Sequence, residues 1–174
     1  LIDLPGAADE EADLEGMAVA DGYLWVVGSH GHKRKNAKPE RSDADNAKRL
    51  AKLALDGNRR LLACLPIELD AKGEPCLVRE AKDGRSAKRL KGDAEHNQLT
   101  RMLADDPHFG PYMAIPGKDN GFDIEGLAID GNRLLLGLLR ESRDCRLDRP
   151  VRNLAALVRV DRCELHAENL FRAL

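Results

Sequence analysis

Four carboxylates stand out because their spacing repeats. Asp13 and Glu15 open the stretch DLEGMA, and Asp123 and Glu125 open DIEGLA, 110 positions later. On an extended strand residues i and i+2 share a face, so each pair presents two carboxylates to the same side. If both strands run along one opening, four carboxylates converge there. That grouping suits a hard cation, Ca²⁺ or Mg²⁺, which takes oxygen ligands. Such an ion polarises a phosphoryl or ester oxygen and supplies an activated water. A simpler reading competes: strand acids that accept backbone N–H bonds from an adjoining sheet and hold the fold together, which residue types alone favour. The glycine after each motif, Gly16 or Gly126, lets a neighbouring strand or ligand come close.

The next candidates follow the first motif. In Ser29-His30-Gly31-His32 the two imidazoles share a face on extended backbone, and His30 has the residue type of a general base. A zinc-type centre needs a further ligand that the stretch does not supply. Ser29 beside His30 is not a catalytic triad, since adjacency in sequence does not create the geometry. Lys33, Arg34, Lys35 and Lys38 then form a basic loop able to attract a phosphate. No aromatic side chain interleaves these charges for base stacking, and residues 1–30 hold seven acids and no Lys or Arg. Nucleic acid is therefore not the expected partner. Lys118 sits just before the second motif, so Lys33, Arg34 and Lys118 are the expected substrate-binding cations, with a small molecule or a protein as partner.

The elements that position these groups read as strands. GMAV and YLWVVG flank Asp21-Gly22, LAKLAL and RRLLACLPI flank Asp56-Gly57-Asn58, and GLAI and RLLLGLL flank Asp130-Gly131-Asn132. Asp-Gly between apolar runs favours a tight hairpin, because glycine accepts the positive φ that such turns require. AALVRVDRCELHAENLF reads as a fourth hairpin with Asp161-Arg162 in its turn. Pairing 13–30 with 49–66, and 123–139 with 154–171, gives two antiparallel four-stranded units. Repeated four-stranded sheets that cannot bury both faces alone are what a β-propeller stacks around a channel. The expected fold is all-β: an incomplete β-propeller-like array with one inserted helix, forming a single partial domain over 1–174 with blade-like units at 13–66 and 123–171.

Two segments depart from the strand pattern. Residues 30–48 are polar and read as an exposed loop. Residues 93–105 read as the inserted helix, capped by Asp93 and carrying Leu99, Met102 and Leu103 on one stripe, with Pro107 beyond it. Residues 67–92 leave a further strand pair open.

Composition sets outer bounds. The 174 residues are 43% hydrophobic and 33% charged, so the chain is not a disordered tail. Aromatics make up only 3%, and the core must rest on aliphatic side chains. No apolar run approaches the roughly 18 residues of a membrane span. Cys64, Cys76, Cys145 and Cys163 lack CxxC spacing and read as buried free thiols. The chain begins at Leu1 with neither a basic start nor an apolar leader core, and reads as a piece of a longer one whose compartment stays open.

Together, IPGKDNGFDIEGLAIDGNRLLLGL, the preceding helix with ADDPHFGPYMAIP, and DLEGMAVADGYLWVVGSHGHKRK resemble an uncharacterised bacterial family, domain of unknown function 3616. The likeness spans roughly residues 10–140. It implies a propeller-like fold, longer in full than this chain, with no established activity. More distantly, the DxEG strands are similar to those of propellers with phytase-like esterase activity. After residue 140 the chain reads RESRDCRLDRPVRN where the family continues with an Arg-Gly-Pro segment. Three readings follow: a divalent-cation-dependent phosphoesterase or esterase, a non-catalytic propeller that binds a ligand or protein, and an inactive fragment of one.

Overall fold

A computed structural model of the chain describes residues 1–144 and 149–161. Cys145, Cys163 and the expected strand beyond Arg162 lie outside the described residues. The architecture is mostly strands in antiparallel sheets, with two α-helices. The first sheet is built on β1 (Leu14–Ala20), β2 (Tyr23–Gly28) and β5 (Leu62–Leu69), extended by β6 (Pro75–Leu77) and β7 (Lys88–Arg89), both of which pair with β5. The second is β8 (Ile124–Asp130), β9 (Arg133–Asp144) and β10 (Arg149–Asp161), in the order β10-β9-β8. Short β3 (Lys33–Arg34) and β4 (Leu53–Ala54) pair with each other.

Two of the expected hairpins form. Between β1 and β2, Asp21 and Gly22 take φ of 49° and 73°, the double positive φ of a type I′ turn. Between β8 and β9 the loop is shifted by one residue. Asp130 pairs with Arg133, and Gly131, at φ 55°, holds the first loop position, as in type II′ turns. Each leading strand carries a bulge at the same place in its motif: the register slips between Leu14 and Gly16 in β1, and between Ile124 and Gly126 in β8. The extra residue is Glu15 in one repeat and Glu125 in the other, so DxEG encodes a bulged strand start.

The expected hairpin at Asp56-Gly57-Asn58 does not form. LAKLAL is split between α1 (Asp43–Ala51) and the two-residue β4, and Gly57–Arg60 is a 3₁₀ turn. Ser42 caps α1 by accepting the Asp45 N–H, with Asp43 and Asp45 in the first turn and Lys48 and Arg49 in the last. Both ends suit the helix dipole, and this outweighs the short apolar run. The loop expected over 30–48 therefore contains β3 and the start of a helix. Asn58, fully buried, is a socket for the N-terminal segment: its side chain bonds Gly6 N–H and the carbonyls of Ala7 and Glu10.

The expected helix at 93–105 is shorter, α2 (Gln98–Ala104). Asn97 replaces Asp93 as its cap, in a reciprocal box with Thr100. The Asp93 carboxylate instead accepts the N–H groups of Glu95 and His96 and delays the helix start by one turn. Leu99 and Leu103 are buried and Met102 packs beside them, as the stripe predicts.

The main core lies between the two sheets. Trp25, Val27, Leu62 and Cys64 of the first face Ile124, Leu134, Leu136 and Leu138 of the second, and α2 closes one side. The other face of the first sheet carries Val26, Leu61, Ala63 and Leu65, packed by Ile2, Leu24, Leu77 and Ala87. Where the sheets meet, β1 runs against β8 without ladder bonds. A Cβ on Gly16 would stand 2.6 Å from Leu127 N, whereas one on Gly126 meets nothing within 4 Å. Gly16 is thus the residue that sets the distance between sheets. Gly16→Ala should destabilise the fold by about 1–3 kcal/mol through overpacking. Urea unfolding is the measurement, and an unchanged midpoint would mean that the strands stand further apart.

Candidate functional site

The two DxEG motifs meet through one residue. Ser29 donates its N–H to the Asp13 carbonyl (3.0 Å), and its own carbonyl accepts the N–H of Ile124 (2.8 Å). Asp13 adopts φ 48°, an unusual conformation for a side chain other than glycine, where the chain turns into β1. The Asp13, Glu15, Asp123 and Glu125 side chains line one cleft of about 580 Å³, together with Glu11, His32, Lys33, Arg34, Asn36, Arg59, Gly117 and Lys118. The expected convergence of four acids is therefore present, and all three expected cations sit on the same cleft.

The acids are not equivalent. Asp13 Oδ2 pairs with Arg59 Nη2 at 2.8 Å, and the same guanidinium reaches Glu11 at 3.5 Å and the Ser29 hydroxyl at 3.3 Å. Asp123 has no such partner: its Oδ1 is buried with no hydrogen bond among the described residues. Burial, reinforced by the negative charges of Glu125 and Asp13, pushes the Asp123 carboxyl up to about 7. The Glu15 carboxyl is also raised, again by burial first and then by Asp13 and Glu125. Two glycines make room for Asp123. A Cβ on Gly117 would clash with Asp123 Oδ2, and one on Gly31 would stand 3.1 Å from Oδ1.

Also on the cleft, Lys33 bonds Glu11 at 2.6 Å and lies 3.7 Å from Asp56. Arg34 pairs with Asp119 at 2.5 Å and donates to the Leu50 carbonyl, tying the cleft wall to the end of α1. Lys118 is exposed on the 3₁₀ turn Gly117–Asp119, at the cleft margin. Among the described residues, no three Asp, Glu, His or Cys side chains stand together as a ready-made metal centre.

His30 does not line this cleft. It is 1% exposed, at φ 57°, with Nδ1 on the Gly28 carbonyl and Nε2 on the Asn97 amide, both at 2.9 Å. The Asn97 amide also donates to the Arg60 carbonyl. Burial lowers His30 to about 4, so the ring is neutral and joins the strand end to the cap of α2. The expected base is a structural histidine, because the left-handed backbone turns its ring away from the face that His32 occupies. His32 does line the cleft, and burial, then Arg60, lowers its pKa.

Arg59 and Glu11 are the cleft residues that strand reasoning misses. Arg59 belongs to RRLLACLPI, where it reads as a solvent-facing strand start. The available signal is its position directly after Asp-Gly-Asn, where a turn sets a long cation beside a segment carrying seven acids. No helix among the described residues is long and apolar enough to cross a membrane.

Residues 1–141 match the family described as "Protein of unknown function (DUF3616)". No curated protein and no solved structure matches the chain. The matched span includes both DxEG motifs, the Gly-Ser-His step that joins them, and every residue lining the cleft, and on this match the chain belongs to the DUF3616 family.

Proposed function

We propose that the cleft is a hydrolytic site for a small anionic ester, with Asp123 as its proton donor. The observation that carries this reading is one carboxyl, held near neutrality by burial and by neighbouring acids, in a cleft that Lys33, Arg34 and Lys118 also line. Acid–base catalysis is most efficient when the group's pKa lies near the working pH. The cations seat the anionic group of the substrate. Asp123 gives its proton to the leaving oxygen as the ester bond breaks, and Glu15 or Glu125 takes a proton from the attacking water. Asp13 stays paired to Arg59 and positions the floor of the site.

The same carboxylates offer oxygen ligands to Ca²⁺ or Mg²⁺. An ion would have to draw Glu15, Asp123 and Glu125 together, and its charge would offset the burial and the mutual repulsion that raise Glu15 and Asp123. On the scale of the whole fold, the matching bulges and the face-to-face meeting of β1 and β8 support reading the two sheets as neighbouring blades of a propeller-type array.

Asp123→Asn should lower turnover of aryl phosphates or aryl esters by about 10²–10⁴-fold, with wild-type kcat/KM falling above pH 7 as the donor ionises. A variant with wild-type turnover would sink the assignment. Binding of the anion without turnover in the wild type would instead favour a non-catalytic site.

Stability gives a readout independent of substrate. The folded pKa of Asp123 lies above the ordinary carboxyl value of 3.8, so its contribution is complete below 3.8 and is lost as pH rises through about 7. His30 has the opposite sign: its folded pKa lies below 6.5, and its contribution is lost as pH falls from 6.5 through about 4. The difference between variant and wild type therefore isolates Asp123. Asp123→Asn should gain Tm relative to wild type between pH 5 and pH 8, and a constant difference would argue against a raised carboxyl. Added Ca²⁺ or Mg²⁺ should raise the wild-type Tm and leave the Glu15→Gln, Glu125→Gln double variant unmoved. No rise in the wild type would remove the ion and leave the proton chemistry standing.

A further inference from the structure

The internal repeat shows what is missing from one of its own halves. In β8, Ile124, Leu127 and Ile129 form a row on the face shared with Leu138, Leu136 and Leu134 of β9. Ile124 is 0% exposed, and Leu127 and Ile129 pack into the main core. What covers them is the opposite face of the preceding sheet, at Gly16, Ala18, Trp25 and Val27. The matching row in β1 is Leu14, Met17 and Val19, on the face shared with Gly28, Val26 and Leu24 of β2. These three apolar residues are 48%, 64% and 68% exposed. Neighbouring Val26 is buried beneath Ile2, Leu24, Leu77 and Ala87, so the cover reaches across this face of the sheet but stops short of β1.

The covering surface also has a second, unused copy. Gly16 of β1 presses on Leu127, and Ala18 shares its face; their equivalents in β8 are Gly126 and Ala128, which share their face with Gly137 and Leu135 of β9. Ala128 is exposed, and a Cβ on Gly126 would meet nothing within 4 Å. Among the described residues there is thus one satisfied junction between the sheets and two uncovered halves of a similar one. The second covering face carries Leu135 and Gly137 where the first has Trp25 and Val27, and Asp130 and Arg133 at its end where the first has Ala20 and Tyr23.

We propose that a second copy of this chain supplies the missing half: the Gly126–Ala128 face of one copy covers the Leu14–Met17–Val19 row of the next, repeating between copies the contact that joins the sheets within one. The interface is heterologous, since the two surfaces differ, so the assembly grows head to tail and is finite only if it closes on itself. A ring of four to eight four-stranded sheets, the usual range for propellers, corresponds to about two to four copies. Each junction would also bring Asp123 and Glu125 of one copy beside Asp13 and Glu15 of the next, as they lie within the chain.

Multi-angle light scattering on the 174-residue chain tests this with two variants. Val19→Glu spoils the row and leaves the Gly126–Ala128 face intact, and Ala128→Glu does the reverse. Both positions are exposed, so both variants should keep the wild-type circular dichroism and the fluorescence of buried Trp25; should Val19→Glu unfold the chain, Met17→Gln tests the same row. The expected result is a discrete wild-type oligomer, two monomeric variants, and a one-to-one heterodimer when the variants are mixed. A wild type that stays monomeric at the highest concentration reached overturns the proposal. An oligomer that survives Ala128→Glu overturns it as well, because the rows would then be meeting back to back.

Discussion

The fold depends on two backbone hydrogen bonds made by Ser29. Its N–H reaches Asp13 and its carbonyl receives Ile124, so one residue is shared between the starts of both leading strands. The surrounding chain is clamped in the same way. Gly28 donates to Leu61 and His30 donates to Arg59, which carries the strand past its formal end. A Cβ on Gly28 would clash with the Arg59 carbonyl oxygen, so the clamp closes only because that residue has no side chain. His30 then turns the chain through a left-handed conformation and secures the turn with both ring nitrogens. The cleft exists because this short segment brings together two stretches far apart in sequence.

Electrostatics divides the cleft into settled and unsettled charges. Arg59 neutralises Asp13 and contacts Glu11, and Lys33 and Arg34 are largely engaged with Glu11 and Asp119. The pairs of Lys33 and Arg34 are partly exposed, so each contributes little to stability. Glu15 and Asp123 are the unsettled ones, because burial denies them water and no cation compensates them fully. That asymmetry concentrates proton affinity on Glu15 and Asp123. It arises from desolvation more than from the number of acids present.

The sequence made some of this legible and hid the rest for physical reasons. Asp21-Gly22 and Gly131 announce their hairpins because positive φ strongly favours glycine or a small polar residue there. The DxEG repeat locates the carboxylates, and the Leu99–Leu103 stripe locates the helix. LAKLAL misleads because a short, largely apolar run beside an Asp-Gly pair fits a strand, while the decisive cap at Ser42 lies outside the run. Asp56-Gly57 misleads because the same dipeptide also suits a 3₁₀ turn, and only Asn58 filling its socket decides between the two. The burial of His30 follows from a backbone angle and a partner 67 positions away, neither of which leaves a local trace.

The paired bulges bear on ancestry. Each leading strand holds one surplus residue, always the glutamate before the glycine, and each hairpin then turns at nearly the same distance downstream. An irregularity of this kind has no reason to arise twice at matching positions in unrelated strands. The matching position is what tandem copying of one strand-turn-strand module would leave behind, its flaw in register carried along with it.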